Sequence, residues 1–115
     1  MPRIRTIKPS IWPSASFVGM SRDARLLAIG LISFADDEGR FPATISAISG
    51  YVFPYDDLSP ARVRGWLREV VDSGMVRIYE VDGRPYGQVP KFLKHQRINR
   101  PQPSQLPAPP REGIQ

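Results

Sequence analysis

The sequence predicts an α+β fold of three helices and a β-hairpin, led by a basic arm and followed by a proline-rich tail. Three observations carry this prediction. Apolar residues recur at helical spacing in three segments, each opened by a Ser or Thr cap. Asp82-Gly83 separates two strand-like runs. The surplus of positive charge lies outside all of these segments.

A chain of 115 residues suits one domain. Residues 1–20 are expected to form a basic extended arm packed on the domain, 21–97 the domain itself, and 98–115 a flexible tail or linker. In the arm, Pro2, Pro9 and Pro13 prevent a continuous helix over 1–13. Its apolar residues Ile4, Ile7, Ile11, Trp12 and Phe17 give it a reason to pack.

The first helix is predicted over 21–37. Ser21 caps it, Asp23 complements the helix dipole, and Ala24, Leu27, Ala28, Leu31, Ile32 and Ala35 form its apolar stripe. Leu26, Ile29 and Phe34 widen that stripe, so burial on more than one side is expected. Gly39 is the expected stop. Arg40-Phe41-Pro42 is a short extended link or strand, and Thr44 caps a second helix over 44–52. The third helix, 60–73, has Ser59 as cap, Pro60 at its first position and Gly74 beyond its end. Val63, Trp66, Leu67, Val70 and Val71 make its core face, while Arg62, Arg64, Arg68 and Asp72 lie on other faces. Met75–Val81 and Arg84–Val89 form the hairpin, with Tyr79 opposite Tyr86 and Val76 opposite Val89. Residues 101–110 contain five prolines and no charge, which reads as extended tail outside the core.

Helix, strand, helix, helix and hairpin is the order of a winged helix-turn-helix. The helix over 60–73 would then be the recognition helix, and Met75–Val89 the wing. Charge supports a polyanion partner: the net charge is +5 and the sequence pI about 10.1. Residues 22–87 hold eight arginines against ten acids, whereas 1–10 and 91–100 hold seven cations and no acid. The plainer reading of basic flanks is solubility.

Duplex DNA is the expected partner, and the candidate contacts divide into three sets. Arg62, Arg64 and Arg68 on the third helix would reach bases or phosphates, or else form a solvated face. Arg84 at the hairpin tip would touch phosphate or minor groove, or serve solubility. Arg3, Arg5, Lys8, Lys91, Lys94, His95, Arg97 and Arg100 would hold phosphates or the minor groove. Tyr79 and Tyr86 suit a structural cross-strand pair better than a stacking platform, and Trp66 suits the core. Asp36, Asp37 and Glu38 lack the alternating spacing of a calcium loop and are better suited to offsetting arginines.

Enzyme chemistry has little to work with. There is no cysteine and one histidine, no phosphate-binding glycine loop, no dinucleotide fingerprint and no convincing acid pair. No catalytic residue, metal site or cofactor is expected. No apolar run reaches the ~18 residues of a membrane span, and the N-terminus lacks a signal peptide's apolar stretch. A soluble protein of the bacterial or host cytoplasm is the expectation.

Several motifs together resemble a family of small helix-turn-helix proteins from actinobacterial viruses. They are Arg3-Ile4-Arg5-Thr6-Ile7-Lys8-Pro9, Ser21-Arg22-Asp23-Ala24-Arg25-Leu26-Leu27 and Phe34-Ala35-Asp36-Asp37-Glu38-Gly39-Arg40-Phe41. They continue with Phe53-Pro54-Tyr55-Asp56-Asp57, Tyr79-Glu80-Val81-Asp82-Gly83-Arg84-Pro85-Tyr86 and Phe92-Leu93-Lys94-His95-Gln96. That family is similar to the winged-helix, DnaD-like domains of phage replisome organisers and replication initiators. The resemblance implies non-enzymatic DNA binding in phage replication. A transcriptional regulator or excision factor is the alternative within DNA binding. A module that binds a host or replisome protein is the alternative outside it, and a homodimer is a further partner state to test.

Overall fold

The structure, a computed structural model, describes residues 3–110. Among them are five α-helices and three strands: α1 (Ala15–Val18), α2 (Arg22–Phe34), β1 (Arg40–Pro42), α3 (Ile45–Val52), α4 (Pro60–Asp72), β2 (Arg77–Val81), β3 (Arg84–Gln88) and α5 (Phe92–His95). The three capped helices form where cap and apolar period coincide. Ser21, Thr44 and Ser59 each accept a backbone N–H from three residues on, at 3.3, 3.2 and 3.3 Å. A cap of this kind is worth about 1 kcal/mol.

Helix α2 packs against α3 and α4, and α3 packs against α4. Phe17, Leu27, Leu31, Phe41, Ile48, Val63 and Val70 are fully buried among them. Each such side chain contributes about 1.5–3 kcal/mol by leaving water. Trp66 is only half-buried; it borders the core and tilts against Phe53 with ring centres 5.5 Å apart.

The sheet is antiparallel throughout, in the order β1-β3-β2. Tyr79 lies opposite Tyr86 and their rings stack at 5.9 Å. The ladder ends at the Arg77–Gln88 pair, so Val76 and Val89 continue its register just beyond the last pairing. Asp82 and Gly83 both have positive φ, 53° and 78°, as a two-residue turn of matching twist requires. Paired residues point to the same side of a sheet and alternate along each strand. One face therefore carries Arg40, Arg77, Tyr79, Arg84 and Tyr86. The other carries Phe41 and Gly87 into the core.

Several expectations are corrected. Helix α2 ends at Phe34, not 37, because Ala35 turns extended at ψ 146°. The Asp36 side chain then accepts the N–H groups of Glu38 and Arg40 and builds a loop. The arm is extended only to Lys8, after which Pro9–Ile11 make a turn of 3-10 helix and α1 follows. Helix α5 was not foreseen. Of the residues that widen the apolar stripe of α2, Ile29 and Phe34 are half-buried against the core, whereas Leu26 is 54% exposed.

The proline-rich stretch has no regular secondary structure over 101–110, but it lies against the domain. Arg40 donates to the Leu106 carbonyl at 3.2 Å and the Tyr79 hydroxyl to the Pro107 carbonyl at 2.7 Å. The Ser104 N–H donates to Glu38 at 2.6 Å, and the Ser104 hydroxyl to Asp36. A tail placed outside the domain does not anticipate these contacts. Burial here pushes the Tyr79 phenol above its usual pKa. The remainder of the predicted tail, 111–115, lies outside the described residues.

Candidate nucleic-acid interface

The two basic flanks, more than eighty residues apart in sequence, run side by side. Arg3 donates to the carbonyls of Asn99 and Arg100 at 2.9 and 3.3 Å. Gln96, buried, pairs with the Thr6 backbone through both ends of its amide: Thr6 N–H to Oε1 at 2.7 Å, and Nε2 to the Thr6 carbonyl at 2.9 Å. A side-chain amide offers one acceptor and one donor face, so it pairs with one residue's backbone as a strand would. Lys8 Nζ lies 3.3 Å from His95 Nδ1. Positions 3, 6 and 8 thus meet positions 99–100, 96 and 95, in antiparallel order. Lys8, Lys91, Lys94, His95, Arg97 and Arg100 are all exposed on these two adjoining segments, which together make a basic band. Among the described residues, none of them has a carboxylate within ion-pair distance.

Asp37 holds this arrangement together. Its carboxylate meets Arg5 at 2.9 Å and Arg3 at 3.5 Å and accepts the Gln102 N–H at 2.8 Å. Burial alone would push its pKa up. The Gln102 N–H and the two guanidinium groups outweigh that and hold it below the usual carboxylate value. Glu38 lies 3.4 Å from Arg40. The three acids therefore offset arginines and receive the proline-rich segment.

Arg5 is removed from the candidate phosphate contacts. Its side chain is 4% exposed, donates to Asp37 and to the Ala35 carbonyl at 2.8 Å, and lies over the Phe92 ring at 5.1 Å. Arg3 is half-exposed and committed to the same acid and two carbonyls, so it contributes charge to the band but has few donors to spare. Arg3 and Arg5 share a side of the extended arm, and Ile4 between them is fully exposed, an inversion that the residue types do not signal.

On α4, Arg62, Arg64 and Arg68 are all exposed and, among the described residues, unpaired with any acid. Arg62 lies 5.3 Å over the Trp66 ring. Glu69 is turned to other use: it accepts from both the N–H and the hydroxyl of Ser21 at 2.8 Å, tying α4 to the start of α2. Arg84 is exposed at the hairpin tip. Arg77, missed in the sequence, is exposed on the same sheet face; its position two and four residues before Tyr79 and Val81 was the available signal.

Among the described residues no group of three or more His, Cys, Asp or Glu could hold a metal ion, and no helix is long and apolar enough to cross a membrane. Comparison with protein-family models, with curated proteins and with solved structures finds no match to this chain.

Proposed function

We propose that the chain is a non-enzymatic, winged-helix protein that binds duplex DNA in phage replication, in the cytoplasm of the host. The observation that carries this reading is the basic band, in which two flanks lacking any acid of their own are brought together and Lys8, Lys91, Lys94, Arg97 and Arg100 have no carboxylate partner among the described residues. Phosphates are the natural counter-charge for exposed lysines and arginines on adjoining segments. The order and packing of α2, α3, α4 and the sheet are compatible with a winged helix, with α4 as recognition helix and β2–β3 as wing. Arg64 and Arg68 would then read bases, Arg62 a base or phosphate, and Arg84 with Arg77 the backbone beside the wing.

A competition assay between a selected site and a scrambled duplex tests the reading role of α4. Arg64→Ala or Arg68→Ala is expected to cost about 1–3 kcal/mol on the selected site and much less on the scrambled one. Equal losses on both would reduce α4 to backbone contact. Footprinting separates the biological roles: protection of an origin-like array supports initiation, and protection of a promoter supports regulation. A protein captured from a host lysate after nuclease treatment, with no DNA binding at low salt, would replace this reading with a protein-interaction module.

A further inference from the structure

At the foot of the basic band lies a cleft of about 550 Å³, walled by the arm, by Ile32 of α2, by the turn after α4 and by the segment from Val89 to Gln96. That volume is within the range of sites that enclose small molecules, about 300–1,000 Å³. Ile7, Ile11, Ile32, Met75, Val89 and Phe92 make its walls apolar. All but Phe92 are only half-buried, so the cavity interrupts a layer of side chains that would otherwise close over the core.

The rim has the opposite character. Lys8, Lys91 and His95 stand on it, and no acid lines the cleft. Lys8 Nζ lies 3.3 Å from His95 Nδ1, and because an ammonium can only donate, Nε2 is the ring nitrogen left to donate to a ligand. Lys91 is the N-cap of α5 and has a left-handed backbone, φ 56° and ψ 33°. A phosphodiester backbone lying across the band needs the cations but has no use for the apolar cavity beneath them.

We infer that this cleft is a binding site for a small amphiphilic anion, with a carboxylate or phosphate head held by Lys8, Lys91 and His95 and an apolar body seated on the Ile7, Ile32 and Phe92 walls. The head group receives charge-assisted hydrogen bonds, and the body displaces water that the apolar walls hold poorly. The site stands independently of the DNA reading, since binding is measured without nucleic acid.

The experiment uses the full chain and four probes with ten-carbon chains, decanoate, decyl phosphate, decanol and decyltrimethylammonium, the ionic ones below their micelle concentrations and decanol below its solubility limit. Calorimetry should show saturable one-to-one binding of decanoate or decyl phosphate, and whichever is tighter identifies the head group. Decanol should bind about tenfold more weakly or worse, and the cationic probe not at all. The K8E/K91E variant, both positions being exposed, should lose about tenfold or more in affinity for the anion. In the wild type, amide NMR shifts on adding decanoate should concentrate at residues 6–14 and 89–96, a readout that does not depend on any variant. Non-saturable uptake, equal affinity for decanol, or shifts centred instead on Trp12 and Leu26 would overturn the proposal. So would an unchanged affinity in a K8E/K91E variant that melts normally.

Discussion

Asp37 is the residue on which the arm, the loop after α2 and the proline-rich segment converge. Asp37→Asn keeps its shape but leaves the buried Arg5 guanidinium without its counter-charge. Breaking a buried pair from one side costs about 3–5 kcal/mol, and urea denaturation should show a loss of that order. The pH dependence follows from the same contacts. The folded pKa is below the unfolded value of about 3.9, so the stability this carboxylate contributes is complete above that value. It is lost as pH falls through the folded pKa, and the wild type should weaken more steeply below about pH 4 than Asp37→Asn. Equal acid limbs for the two would contradict the role given to Asp37. That the acids offset arginines was legible in the sequence. Which arginines they offset was not, because Arg5 and Asp37 are thirty-two residues apart and only the folded loop brings them together.

At the scale of elements, local chemistry was the legible part. Caps at Ser21, Thr44 and Ser59, Pro60 at a helix start and the Asp82-Gly83 turn act within a few residues, so spacing alone reveals them. The pairing of β1 with β3 depends on a distant partner and leaves its trace in Gly87. A Cβ there would overlap the Phe41 ring, which is fully buried. Gly87→Ala should therefore destabilise by about 1–3 kcal/mol or more, whereas Gly65→Ala, on an open face of α4, should gain about 0.5–1 kcal/mol. Thermal melts of the two variants should move in opposite directions. The extended character of the proline-rich segment was legible in its composition, but its position comes from hydrogen bonds to Asp36, Asp37, Glu38, Arg40 and Tyr79. At about 0.5–1.5 kcal/mol net for each bond, deletion after Arg100 should lower the melting temperature by about 5 °C or more. An unchanged melting temperature would mean that the segment does not hold to the sheet in solution.

Across the whole molecule, the charge asymmetry visible in the sequence becomes a spatial one. The capped helices and the hairpin form a nearly neutral body, and the flanks combine into the band through Gln96, Arg3 and Lys8. Composition showed two basic ends, while only the fold makes them neighbours and takes Arg5 out of the set. The most direct measurement is a titration of the full chain against random duplex at several salt concentrations, repeated with Lys8, Lys94 and Arg97 changed to alanine. The wild type should bind, with a linear fall of log affinity against log salt. The variant should bind every duplex more weakly, with a slope reduced by about 0.9 for each phosphate that is no longer neutralised. No binding at low salt, or a slope and affinity unchanged by the three substitutions, would contradict the account of the band as a DNA-binding surface.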